Sequence, residues 1–253
     1  MLKTRVIPTL TLRGARLVKT RQFGATRDVG DPVKAPMVYD AQLADELVYL
    51  DMDATREGRS TERIEAATAR IAGVCFMPVA AGGGVRTVED FRRVLLAGAD
   101  KVVVNSAAVE RPALIAEAAA RFGRQCAIVA IDARREPDGR ALVWTHGGTR
   151  ATGREAVAWA REAEARGAGE ILLTSIDRDG TMSGYDLDLV RAVATAVNIP
   201  VIASGGAGKL LDLLEALTKG HAAAIAAASL FHFTDQSPIK AKAYLRRAGI
   251  AVR

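Results

Sequence analysis

Asp132 ends the apolar run Cys126-Ala-Ile-Val-Ala-Ile-Asp132. A carboxylate at the end of a buried strand can work as a general acid or base. The same pattern occurs half a chain earlier in Arg5-Val-Ile-Pro-Thr-Leu-Thr11, but there a threonine stands where the aspartate would be. Other segments repeat at nearly the same offset. Glu46–Asp53 matches Glu170–Asp177, Val79–Gly84 matches Val201–Gly206, and, with a one-residue gap, Val102–Ser106 matches Ala224–Ser229. A duplicated half should carry duplicated sites. Here the glycine loops occur in both halves, whereas the strand-end carboxylate occurs in only one.

Gly82-Gly-Gly84 and Asn105-Ser106 follow one pair of apolar runs; Gly205-Gly-Ala-Gly208 and Ala228-Ser229 follow the equivalent pair. Glycine lets the backbone approach an anion closely, and the N–H groups of a helix start point at it. Two such sites at one mouth imply a long substrate with a phosphate at each end. Asp51, Asp53, Asp177 and Asp179 also follow strands, and the sequence does not divide those that orient a substrate from those that cap loops. Arg5, Glu46, Lys101 and Glu170 stand at strand starts and alternate in sign. They would ring the opposite end, either as plain exposed charges or as a salt-bridged gate. The histidines (His146, His221, His232) have no metal-ligand spacing, and neither G-x-S-x-G nor H-E-x-x-H occurs. No metal or cofactor is expected.

Such residues need a scaffold that gathers strand ends. Apolar runs alternate with helical patterns along the chain. The strand candidates are Val6–Leu10, Leu47–Asp51, Phe76–Ala81, Val102–Asn105, Ala127–Ile131, Ile171–Thr174, Val201–Ala203 and Ala223–Ala227. Helices are expected over Ser60–Ala72, Val88–Leu96, Ala113–Arg121, Arg154–Arg166, Leu187–Val197 and Lys209–Thr218, with Asp186 and Ser204 as cap or turn residues. Ala133–Thr152 reads as an inserted hairpin. Near-continuous apolar strands suit a parallel sheet covered by helices. Strand–helix alternation with a half-chain repeat predicts one α/β domain, a single (β/α)8 TIM barrel over residues 1–253 with halves of about 1–123 and 124–253.

Composition agrees. The 253 residues are 49% hydrophobic and 5% aromatic, enough for a large core of small side chains. The net charge of +6 is spread along the chain, without the basic stripe and interleaved aromatics of a nucleic-acid binder. No apolar run reaches the ~18 residues of a membrane span, and the N-terminus lacks the features of a signal peptide. Cys75 and Cys126 are isolated, so a cytoplasmic home without a disulfide scaffold is expected.

The chain resembles the HisF family, the barrel subunits of imidazole glycerol phosphate synthase, over essentially its whole length. The likeness rests on Arg5-Val-Ile-Pro8, Arg27-Asp-Val-Gly-Asp-Pro32, Asp100-Lys-Val-Val-Val-Asn105, the run from Gly167 to Thr181, Ile202-Ala-Ser-Gly-Gly-Ala-Gly-Lys209 and Ser229-Leu-Phe-His-Phe233. The resemblance implies a partner glutaminase (HisH-like) that releases ammonia at the N-terminal face of the barrel. The ammonia crosses the barrel core and reacts with a ribulosyl bis-phosphate nucleotide, giving imidazole glycerol phosphate and an aminoimidazole carboxamide ribotide. It places the ammonia gate on Arg5, Glu46, Lys101 and Glu170, phosphate contacts on Gly84, Asn105, Ser106, Gly180, Gly206, Ala228 and Ser229, a flexible-loop lysine on Lys19, and glutaminase contacts on Asp100 and Gln125.

One position departs from the family. Its two catalytic aspartates fall on Asp132 and Thr11. A threonine hydroxyl does not exchange protons near neutral pH, and a positioned general acid or base is worth ~10²–10⁴-fold in rate, roughly 3–5.5 kcal/mol of barrier. The resemblance therefore implies bound substrate but collapsed turnover. The chain also resembles HisF-like paralogues associated with sugar amidation in surface polysaccharide biosynthesis, through Val18-Lys-Thr-Arg-Gln-Phe23 and Phe76-Met-Pro78. The expected function is thus an ammonia-delivering barrel for sugar amidation, with a third amidotransferase protein as a further partner. The alternatives are a working cyclase subunit and a scaffold that only activates the glutaminase. A phosphosugar isomerase also wants both strand-end carboxylates, so Thr11 counts against it.

Overall fold

The computed structural model describes residues 3–253. Eight parallel strands close into a barrel: β1 (Arg5–Arg13), β2 (Leu47–Asp51), β3 (Val79–Gly82), β4 (Lys101–Val104), β5 (Ala127–Arg135), β6 (Glu170–Ser175), β7 (Val201–Ser204) and β8 (Ala224–Ala227). Each pairs with the next; β8 pairs with β1, and β5 with β6. The fold is a (β/α)8 TIM barrel. In this order β1 and β5 lie diametrically opposite, so Thr11 and Asp132 face each other across the mouth.

The strands are buried on both faces because both faces meet apolar partners. Outward side chains such as Val6, Leu47, Val102 and Leu173 pack against the helices. Inward ones, including Ile7, Val48, Val103, Ile128, Leu172 and Ile202, fill a separate inner core. Small residues on opposite sides, Ala80, Ala130, Ala224 and Ala226, let this lumen pack without large rings.

Helix register follows local signals. Val88–Leu96 begins at a capping box in which Asp90 N donates to Thr87 Oγ1 (3.1 Å) and Thr87 N donates to Asp90 Oδ2 (2.8 Å). Asp186 caps Leu187–Ala194, accepting from Leu189 N at 3.1 Å. Ser204, expected at a cap, is instead the last residue of β7. Strand β3 starts at Val79 and not at Phe76, because Pro78 has no N–H and Phe76 is 96% exposed. The helix expected from Arg154 starts at Ala156, since Arg154 and Glu155 finish a strand.

Two antiparallel additions break the simple alternation. β5 runs past the barrel rim and is extended by Ala141–Thr145 and Arg150–Glu155, which occupies the region expected to form a hairpin. β1 does the same with Arg16–Thr20 and Thr26–Gly30, an addition the sequence reading did not anticipate. Its signal was present: Gly14, at φ +58°, makes the tight turn from Arg13 to Arg16 that a hairpin requires. Four helices lie outside the expected ranges as well: Lys34–Ala41, Pro238–Arg247, and the short Ser106–Glu110 directly after β4 and Ser229–Phe233 directly after β8.

Candidate active site

The C-terminal strand ends surround one mouth. Its lining includes Thr11, Lys19, Asp132 and every residue that the resemblance assigns to phosphate: Gly84, Asn105, Ser106, Gly180, Gly206, Ala228 and Ser229. Gly84, Asn105 and Ser106 lie on the β3–β4 side. Gly180, Gly206, Ala228 and Ser229 lie on the β6–β8 side. The register of a parallel barrel puts these loops at one end, with the rims of opposite half-barrels facing each other.

At Gly206 a glycine is required. Its φ is +113°, and a Cβ there would run into the Gly184 backbone, which itself donates N–H to Gly206 O at 2.9 Å. The result is bare main chain at the mouth, a surface suited to an anion. Ser229 Oγ, which also lines the mouth, is buried and has no hydrogen-bond partner among the described residues, a cost normally met by a ligand or ordered water. Ser106 Oγ, by contrast, accepts from His146 N at 3.0 Å.

Asp132 sits on β5 beside Thr174 of β6, its partner in the sheet register. Asn105 Nδ2 donates to Asp132 Oδ2 at 2.7 Å and reaches Trp144 O at 3.3 Å. Burial pushes the carboxyl of Asp132 up to about 7; the hydrogen bond from Asn105 opposes the rise, the nearby Asp179 carboxylate adds to it, and Thr174 also opposes it. Near neutral pH this group exists in both protonation states, the condition under which a carboxyl both gives and takes protons efficiently. Thr11 lines the mouth half-buried, with no carboxylate on its own strand end.

Lys19 is not on a loose loop. It lies in the strand Arg16–Thr20, is buried, and donates to Asp179 Oδ1 at 2.6 Å; Thr20 Oγ1 donates to Asp179 Oδ2 at 2.6 Å. The first hairpin is thereby clasped to the turn after β6, and the ion pair explains why a lysine tolerates that burial. The remaining aspartates now separate. Asp51 is held by Arg59 (2.7 Å) and Arg63 (3.7 Å), and Asp53 by Arg13 (2.6 Å) and Arg56 (2.7 Å). Asp177 accepts from Arg135 N at 2.8 Å. These three order loops. Thr20 and Thr174 are mouth residues that no local pattern marks, because their contacts run between elements distant in the chain.

At the opposite end Arg5, Glu46, Lys101 and Glu170 form a closed ring. Arg5 bonds Glu46 (2.6 Å) and Glu170 (2.9 Å), and Lys101 bonds Glu46 (2.9 Å) and Glu170 (2.8 Å). Two cations and two anions leave the ring neutral, and it plugs the apolar lumen from below. Asp100 and Gln125 are exposed near the same end, where Asp100 Oδ2 accepts from Val79 N at 2.9 Å.

The fold and site define a TIM barrel with a glycine-turn mouth and a charged floor. The profile of the family described as "Histidine biosynthesis protein" matches residues 5–236, and the chain belongs to that family, as a HisF-type member. Proteins of two Caulobacter vibrioides strains (NA1000 / CB15N and ATCC 19089 / CIP 103742 / CB 15), each named "Imidazole glycerol phosphate synthase subunit HisF", are 57% identical to it over 254 aligned positions, covering 100% of this chain and 97% of theirs. This corrects the expectation of sugar amidation in polysaccharide biosynthesis. Thr11 carried that expectation, together with two short segments of likeness, and identity along the whole chain outweighs them. One of those segments, Phe76–Pro78, lies before β3 at the end away from the mouth. Among the described residues no helix is long and apolar enough to cross a membrane.

Proposed function

We propose that this chain is the ammonia-using cyclase subunit of an imidazole glycerol phosphate synthase in histidine biosynthesis. The observation that carries the reading is 57% identity, end to end, with curated subunits of that name. The substrate is then a ribulosyl bis-phosphate nucleotide. Each half, about 1–123 and 124–253, contributes one phosphate site: Gly84, Asn105 and Ser106 in the first, Gly180, Gly206, Ala228 and Ser229 in the second. The unpartnered Ser229 hydroxyl supports the second site. Asp132 hands protons to and from the reacting atoms, as its raised pKa suits. Lys19 closes the first hairpin over the mouth.

The partner is a glutaminase of the HisH type on the N-terminal face, where Asp100 and Gln125 are exposed. Ammonia released there enters the lumen when the Arg5–Glu46–Lys101–Glu170 ring opens, and the apolar inner core keeps it unprotonated on the way to the mouth. Purified chain with the bis-phosphate nucleotide and an ammonium salt should form imidazole glycerol phosphate, and glutamine should replace ammonium only once the glutaminase is added. Thr11 favours a second reading, a barrel that activates the glutaminase without chemistry of its own. No turnover with ammonium, together with stimulated glutamine hydrolysis, would establish that one instead.

A further inference from the structure

Thr11 leaves its strand end without a carboxylate, yet the fold brings another to the same mouth. The titratable side chains lining it are Lys19, Asp51, Asp132 and Asp179. Asp51 is committed elsewhere: its side chain is fully enclosed and bound by Arg59 and Arg63. That leaves Asp179 as the one further carboxylate beside Asp132 among the described residues. Asp179 is held by Lys19 and Thr20, which are one and two positions along from Val18. Val18 is the cross-strand partner of Thr11. Asp179, in the turn after β6, is thus tethered to the hairpin that grows out of the vacated strand end. It is also close enough to Asp132 for its charge to be felt there.

We propose that Asp179, held by Lys19 and Thr20, is the second proton-handling group of this mouth and does the work lost at Thr11. The inference rests on the cyclase reading above. When ammonia adds to the substrate's carbonyl carbon, its lone pair forms the C–N bond and the carbonyl π pair moves onto oxygen. The oxygen takes the proton of Asp132 in its acid form. The cationic nitrogen gives one proton to the Asp179 carboxylate. The product is a neutral carbinolamine, and one proton has passed from Asp132 to Asp179.

The test uses the full chain with the bis-phosphate nucleotide and ammonium salt, with kcat and KM measured across pH. Asp179→Asn should lower kcat by roughly 10²–10⁴-fold with KM changed only a few-fold. The groups facing these carboxylates, Lys19 and Thr20 from the hairpin, Asn105 just after β4 and Thr174 from β6, are unchanged in that variant. Asp179→Glu keeps the carboxylate and should recover part of the rate, which separates lost chemistry from a lost fold. Thr11→Asp added to Asp179→Asn should restore tenfold or more. A clasp without chemistry would raise KM and leave kcat within a few-fold of the wild type, and that result overturns the proposal. An Asp179→Asn enzyme as fast as an active wild type overturns it too, leaving the cyclase reading standing. A wild type with no turnover overturns the cyclase reading and this inference together.

Discussion

The two ends of the barrel treat charge in opposite ways. At the floor, every charge of Arg5, Glu46, Lys101 and Glu170 has two partners of opposite sign. At the mouth, Asp132 has only neutral donors, Asn105 and Thr174, and a second carboxylate, Asp179, nearby. Paired charges lock geometry. An unpaired carboxyl pushed up to about 7 holds a proton loosely enough to trade it. The floor therefore reads as a plug whose disturbance is felt in the fold, and the mouth as the place where disturbance is felt in rate.

The largest test of that contrast is Asp132→Asn. Ammonium-dependent turnover should fall by roughly 10²–10⁴-fold, about 3–5.5 kcal/mol of barrier, while the melting temperature holds or rises. Steady-state assays beside thermal melts check both halves of the statement; preserved turnover would dissolve the distinction. The floor should behave in reverse. Glu46→Ala strips Arg5 and Lys101 of one partner each and should cost about 3 kcal/mol of stability by denaturant titration, as for other broken buried pairs. The rate at the mouth with saturating ammonium should stay within a few-fold.

A smaller effect sharpens the comparison within the mouth. Ser229→Ala should weaken the bis-phosphate nucleotide by about 1.5–3 kcal/mol, the worth of a hydrogen bond to a charged group. Its unfolding free energy should not drop, because the hydroxyl has no partner to lose. Calorimetric titration and denaturant melts measure the two. The smallest expected effect concerns pH. Asp132 has a higher pKa folded than unfolded, about 7 against 3.8, so the folded state favours its protonated form. Its contribution to stability is full below about pH 4 and is lost as pH rises toward 7. Relative to Asp132→Asn, the wild type should lose on the order of 1 kcal/mol across that window, once solvent at the mouth is allowed for. A pH-independent difference between the two proteins would remove the basis for a shifted carboxyl.

Much of the frame was legible because it depends on local pattern. Leu47–Asp51 and Val88–Leu96 occur as read, since an apolar run or a 3.6-residue period forms its element almost regardless of context. Where a distant neighbour decides, local pattern does not suffice. Phe76 reads as strand by composition, yet its N–H and that of Met77 turn to Asp40, the latter at 2.9 Å, and β3 begins later. The first hairpin went unread because Lys19 looks like a loop residue until Asp179, far along the chain, accepts its charge.

The sequence by itself determined the eight-strand alternation, the repeat that places glycine turns on both sides, and the loss of a carboxylate at Thr11. Each is a matter of residue type and spacing, which the backbone turns into position through the barrel's register. The tertiary structure alone decided which aspartates are taken and which are free. Asp51 is sealed between Arg59 and Arg63, Asp179 is held by the hairpin yet still lines the mouth, and Asp132 is left with neutral partners. A carboxylate's chemistry is set by the charges and solvent around it, and closing the barrel is what brings those neighbours together from opposite ends of the chain.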